Sequence, residues 1–247
     1  MRGLPEIEAG DDLAELIVPA LEGSGRSPGL GDGAVVVIAH KVVSKAEGRV
    51  RRLPDVQPGP EAVALAREQD KDPRLVQVVL DESRTVIRAS RGVIISQTHH
   101  GFVCANAGVD ASNVPGEDTV LTLPRDPDAS ARSLRARLRE LTGAVTAVVI
   151  TDSFGRAWRV GQCDVAIGCA GLAPVEDWRG RPDYAGRELQ ATLIAVADQL
   201  AAVADLARAK DARQPVVVVG GVERHVTAED GPGAAALIRA QSDDLFR

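Results

Sequence analysis

The sequence is poor in aromatic residues. Phe, Trp and Tyr make up 2% of its 247 residues. Its core is therefore built from Val, Leu, Ile and Ala, and it lacks the ring platform on which single-stranded nucleic acid stacks. A basic excess is also missing: 29 Lys and Arg face 35 Asp and Glu, giving a net charge of -6. Duplex-DNA binders carry the opposite balance, so no nucleic-acid partner is expected. A nucleotide ligand stays open, because one phosphate site needs only a local arrangement. No apolar run approaches the ~20 residues of a membrane span, so no membrane partner is expected either. The opening MRGLPEIEAGDD has no apolar signal-peptide segment, which makes the cytoplasm the expected compartment. Cys104, Cys163 and Cys169 are odd in number and form no CxxC pair. That argues against a disulfide framework, and each reads as core filling among small apolar neighbours.

Familiar catalytic signatures are missing too. No GxxxxGK[ST] loop is present, and no GxGxxG follows a strand. A nucleoside triphosphate would have to be held without those cradles. No Ser-His-Asp arrangement stands out. His99 and His100 sit beside a strand end, where hydrogen bonding is the commoner role and metal ligation the alternative.

What is present describes a globular chain: 45% apolar and 26% charged residues. The spacing predicts a short helix over Asp11–Leu21, with Asp11 or Asp12 at its start. AVVVIA at 34–39 predicts a buried strand. Residues 61–70 read as helix. Leu75–Leu80, Arg84–Ala89 and Val93–Gln97 read as an antiparallel meander with a turn at 81–83. An amphipathic helix is expected over Asp128–Leu141, closed by Gly143, followed by a strand over Ala144–Thr151. Leu189, Leu193, Val196, Leu200, Val203 and Leu206 predict the longest helix, over Glu188–Lys210. A strand at Pro215–Val219 and a turn-and-helix from Gly233 complete the chain. This mixture, without a steady βαβ beat, gives an α+β fold with mixed or antiparallel sheets and packed helices. A single domain over 1–247 is expected, or two lobes with no visible linker.

Four segments carry candidate chemistry. In HGFVCANAGVDASNV (100–114), Asp110 and Asn113 supply a carboxylate and an amide oxygen. Hard oxygens suit Mg²⁺ or Mn²⁺, and an Asx turn is the plain alternative. In TDSFGR (151–156), Asp152 and Ser153 follow a buried strand, a common place for ligands; a cap or turn role is the alternative. Two such aspartates on separate segments can share a cation that clamps a phosphoryl group. In HKVVSKAEGRV (40–50), Lys45 places a point charge suited to phosphate, while Lys41 reads as a solvated turn residue. In WRVGQCDVAIG (158–168), Arg156, Arg159 and Gln162 form a polar entrance able to grip an anion; an arginine-capped strand is the alternative.

GLPEIEAGDDLAELI, KVVSKAEGRV, HGFVCANAGVDASNV and TDSFGRAWRVGQ, in that order along the chain, resemble the coenzyme F420-0:L-glutamate ligases, also called F420 γ-glutamyl ligases, and the likeness runs from Gly3 to about Val222. The resemblance is to the free-standing form, without the C-terminal nitroreductase-like domain of actinobacterial members. It implies an α+β fold, an intertwined homodimer, and a ligase that uses GTP and a divalent cation, Mg²⁺ or Mn²⁺, with K⁺ as a further ion. The implied reaction adds L-glutamate to the phospholactyl arm of coenzyme F420-0, then further γ-linked glutamates, through an acyl phosphate. The resemblance also implies that Leu4, Pro5, Glu6, Ile7, His40, Lys45 and Asn113 lie at the nucleotide and that Asp110, Asp152 and Ser153 hold metal. Lys45, Asp110 and Asp152 are the implied catalytic residues.

Some positions depart from the family pattern. His40 stands where a small serine is common, and Lys210 where some members have a metal-ligating glutamine. Ala209 and Gly220 are also unusual. Two other functions compete with the ligase reading: a metal-dependent phosphohydrolase, and a non-catalytic paralogue that only binds a deazaflavin or nucleotide.

Overall fold

The run Val35–Ala39 forms a strand, nearly all of it buried, because helices cover both faces of the sheet it joins. The structure is a computed structural model and describes residues 3–22, 30–114, 116–209 and 213–244. In chain order its first half contains α1 (Leu13–Glu22), β1 (Val35–Ala39), α2 (His40–Ala46), β2 (Val50–Arg52), α3 (Pro60–Gln69) and α4 (Pro73–Asp81). Next come β3 (Ser83–Ser90), β4 (Val93–Thr98), β5 (Val103–Ala105) and β6 (Thr119–Leu121). The second half contains α5 (Pro127–Thr142), β7 (Ala147–Arg156), β8 (Arg159–Ala170), β9 (Val175–Asp177), β10 (Leu193–Ala195), α6 (Val196–Ala207) and β11 (Val216–Val219).

The main sheet has the order β11-β1-β7-β8, with β1 parallel to β7 and the other pairs antiparallel. Val36, Ile38, Val148 and Ile150 point to one face, where Ile17 of α1 and Leu134 and Leu138 of α5 cover them. Val35, Val37, Ala147 and Val149 point to the other, under Val196, Ala197, Leu200 and Ala204 of α6. Each large side chain buried here contributes roughly 1.5–3 kcal/mol. Gly168 of β8 lets α5 approach closely: a Cβ there would lie 2.3 Å from the Pro127 carbonyl oxygen.

A second region packs α3 and α4 against the meander β3-β4-β5 and the pair β2-β6, around Val76, Val79, Ile94 and Val120. The α+β expectation is met. So are the helix starting at Asp12, whose carboxylate accepts from the amides of Ala14 and Glu15, and the left-handed cap at Gly143. Cys104, Cys163 and Cys169 form no disulfide.

Three expectations are corrected. Residues 75–80 are not strand but helix α4. Asp72 caps it by accepting from the Arg74 amide at 2.8 Å, and Pro73 opens it, so the cap outweighs the β-branched composition. The longest described helix is α5, with 16 residues, not 188–210. Residues 193–195 pair with β9, so α6 begins at Val196 and ends at Ala207; Lys210 lies outside the described residues. The C-terminal segment makes short 3-10 turns at Ala234–Leu237 and Gln241–Asp243 rather than a regular helix.

Candidate active site

Strand β1 runs directly into helix α2, from Ala39 to His40, with no residue between. Parallel pairing of β1 with β7 sets Ala39 beside Thr151. The next residues, His40 at the start of α2 and Asp152 within β7, therefore lie side by side where β1 ends in the middle of the sheet. His40 Nε2 lies 3.3 Å from Asp152 Oδ1, and the two side chains are only 2% and 16% exposed. His40 Nδ1 is 3.2 Å from Ser44 Oγ, one helical turn on.

Asp110 reaches the same helix from the second region. Asn106, Ala107 and Gly108 all take positive φ, of 51°, 52° and 73°. Ala107 is buried in this conformation, which L-residues adopt rarely and at a cost. At Gly108 a Cβ would lie 2.7 Å from Leu123 Cγ, so only glycine fits. This turn delivers Asp110 into a two-way backbone bridge with Leu121. Its carboxylate then accepts from Lys41 Nζ at 2.6 Å and from the Ser112 amide and hydroxyl at 2.6 and 3.0 Å. Burial alone would raise the Asp110 pKa, but the Lys41 and Ser112 bonds and the Lys41 charge hold it below the usual carboxylate range. Lys41 is thus not a solvated turn residue. It lies on α2 and bonds Asp110 and the carbonyl and hydroxyl oxygens of Ser112. The Asx turn foreseen at Asp110 is present, and Asn113 follows it, exposed, at a φ of 57°.

Lys45, one turn beyond Lys41, is buried and pairs with Glu6. Within Leu4–Ile7, Ile7 is buried in the core and Leu4 packs against it, while Pro5 and Glu6 are exposed. Any ligand contact by Ile7 is then through its backbone.

Ser153 donates its hydroxyl to Asp164 Oδ1 at 2.6 Å. Asp164 also accepts from Thr151 Oγ1 at 2.8 Å and from Arg208 Nη1 at 2.9 Å. Arg208 donates as well to the Val37 carbonyl at 2.9 Å. Burial lowers the Arg208 pKa, opposed by the charge of Asp164. The sequence reading missed Asp164 and Arg208. Asp164 carried a usable signal, a carboxylate in the otherwise small and apolar run CDVAIG; Arg208 carried none. Cys104 is close enough to Asp152 to feel its charge. Burial first, and that charge second, push its thiol up to about 12, so it stays neutral.

Arg156 and Arg159 pair with each other at the exposed end of the β7–β8 hairpin, and Arg156 bonds the Val160 carbonyl. At ~3.3 Å per residue, Arg156 is about 13 Å beyond Asp152 along the strand. His99 and His100 bond the carbonyls of Asp81 and Pro124, as structural histidines do.

A divalent cation is implied by the family resemblance, and the Asp152 side of the site suits one. The His40 ring and the Asp152 carboxylate offer nitrogen and oxygen donors for a hard or borderline ion, whereas the Ser153 hydroxyl lies on the opposite face of β7, bonded to Asp164. Asp110 is arranged differently, with the Lys41 ammonium already against it. Among the described residues no three His, Cys, Asp or Glu side chains form a ready metal cage. Oxygens from phosphate or water would have to complete the shell.

The coenzyme F420:L-glutamate ligase of Methanothermobacter thermautotrophicus is 45% identical over 249 residues, covering 100% of this chain and 97% of that protein. The ligase of the same name from Methanopyrus kandleri is 45% identical over 98% of this chain and 94% of its own length. That of Haloarcula marismortui is 41% identical over 100% and 94%. The chain is thus an α+β enzyme of the ligase class. It belongs to the F420-0:gamma-glutamyl ligase family, whose model matches residues 3–221. The resemblance read from the four motifs holds.

Proposed function

We propose that this chain joins L-glutamate to the phospholactyl arm of coenzyme F420-0, using GTP and Mg²⁺ or Mn²⁺, and then extends the chain through γ-linkages. The observation that carries this reading is the convergence on α2: Asp152 meets His40, Asp110 meets Lys41, and Lys45 follows one turn later.

The chemistry requires an activated carboxylate. In this reading the γ-phosphoryl of GTP passes to the arm's terminal carboxylate, releasing GDP and forming an acyl phosphate. The glutamate amine attacks the carbonyl carbon, phosphate leaves, and the amine proton is lost. Lys45 exchanges Glu6 for phosphate oxygens and holds them with a point charge. Lys41 neutralises Asp110 until the substrates arrive. Asp164 and Arg208 fix Ser153 and Thr151, keeping the Asp152 backbone in place. A bound divalent cation would neutralise charge on the transferring phosphoryl group. K⁺ is a further ion in the same reading.

A homodimer belongs to the reading as well. Trp158 and Val160, at the hairpin tip, are 82% and 100% exposed, and Leu206 is 88% exposed. A second copy of the chain is a natural cover for them.

Incubation with GTP, Mn²⁺, F420-0 and L-glutamate should add one or more glutamate masses to the coenzyme, read by mass spectrometry. Phosphate release indifferent to glutamate, with no mass gain, would instead identify a phosphohydrolase. Coenzyme binding without turnover, indifferent to EDTA, would identify a non-catalytic paralogue.

A further inference from the structure

His40 is placed beside Asp152 and at the nucleotide in the ligase reading, which gives its ring no chemical role. Its side chain is 2% exposed. Its Nε2 is buried and has no hydrogen-bond partner among the described residues, although Asp152 Oδ1 is 3.3 Å away. A buried ring nitrogen without a partner is costly and calls for an explanation. The distance is informative. A charge-assisted bond between imidazolium and carboxylate would be about 2.7–2.9 Å. Neighbouring ligand atoms around one cation, with bonds of about 2.1 Å, lie roughly 3.0 Å apart in an octahedron and 3.4 Å in a tetrahedron. The His40–Asp152 pair therefore has the spacing of two adjacent ligands.

We propose that His40 Nε2 is a ligand of the divalent cation held by Asp152. The inference rests on reading Asp152 as a cation ligand. Ser44 supports the role from the far side of the ring. With Nδ1–H directed to Ser44 Oγ, Nε2 carries the lone pair, and the partner of the other nitrogen fixes the tautomer as in other metal-bound histidines. The β1–β7 pairing and the unbroken junction with α2 hold the two residues in place. A ring nitrogen changes which ions suit the site. Imidazole suits borderline ions such as Co²⁺ or Zn²⁺ more than an all-oxygen shell does, and among the harder ions Mn²⁺, a transition metal, tolerates a ring nitrogen better than Mg²⁺.

The probe is Mn²⁺, bound to the full chain with GTP. Affinity is measured by calorimetry, and nitrogen coupling by pulsed electron paramagnetic resonance on protein labelled with ¹⁵N-histidine. The wild type should show a directly bound nitrogen. His40→Gln should lose that coupling, bind Mn²⁺ about 10-fold or more weakly, and lose preference for Mn²⁺ over Mg²⁺. The labelled wild type answers the question even where His40→Gln folds poorly. Mn²⁺ bound by the wild type and lost in Asp152→Asn, but with oxygen neighbours only, overturns the His40 assignment and leaves the Asp152 reading standing. Equal Mn²⁺ affinity in Asp152→Asn, or no binding by the wild type, overturns both.

Discussion

Asp152 and Asp110 are presented by regions of unlike construction. Asp152 lies within β7, just beyond four residues with no exposed surface, Ala147–Ile150, in a sheet covered on both faces. Asp110 follows three residues in left-handed conformation and is held by side-chain bonds to Lys41 and Ser112. The first carboxylate is placed by packing and strand register. The second is placed by a strained turn and a lysine on another element. Functional sites are often built this way, with one wall fixed and one adjustable.

The strongest attack on this contrast is at the fixed wall. Asp152→Asn should lower the ligation rate on the order of 10²–10³-fold while leaving the melting temperature near the wild-type value. A rate close to wild type would remove the strand-held carboxylate from the chemistry.

A smaller effect comes from the cap of α4 in the second region. The Arg74 side-chain bond, chiefly, lowers the Asp72 pKa below the ordinary 3.8, against the opposing effect of burial. A depressed pKa stabilises the folded state above the unfolded-state value, and that stabilisation is lost as pH falls through the folded-state value. Asp72→Ala should therefore cost about 1 kcal/mol at neutral pH, and its deficit against wild type should shrink below about pH 4. Urea unfolding across pH tests this; a deficit independent of pH would detach the cap from the ionised carboxylate.

The smallest effect has the opposite sign and lies beside the main sheet. Burial raises the Asp198 pKa, although the carboxylate accepts from the Ala166 amide at 2.9 Å. A raised pKa favours folding below the unfolded-state value and loses that contribution as pH rises through the folded-state value. At neutral pH the ionised group is thus a cost. Asp198→Asn keeps an acceptor for the amide and should raise stability at pH 7 by roughly 0.5 kcal/mol. A lower unfolding midpoint would show that the charge itself is needed there.

The two regions were also unequally legible in the sequence. Continuous apolar runs marked β1 and β7, and an amphipathic pattern with Gly143 marked α5. In the second region, the valines of residues 75–80 pointed to strand, while Asp72 and Pro73 carried the deciding helix signal. The site followed the same division. Asp152 and Ser153 were visible because they follow the apolar run that opens β7, although the strand itself continues through them to Arg156. The partners of Lys41 and Asp164 were not, because Ser112 lies 71 residues from Lys41 and Arg208 44 residues from Asp164. No local pattern reports a pairing made across the fold.

The direct passage of β1 into α2 leaves the fixed wall without a pivot. Helix α2 cannot swing without dragging a central strand of the sheet with it. The Asp110 side is tethered in two ways: its backbone is bridged to Leu121, and its carboxylate is held by Lys41, so the side-chain contact can change while the backbone stays in place. What can rearrange there is the ion pair carried on α2, with the sheet as the stationary frame.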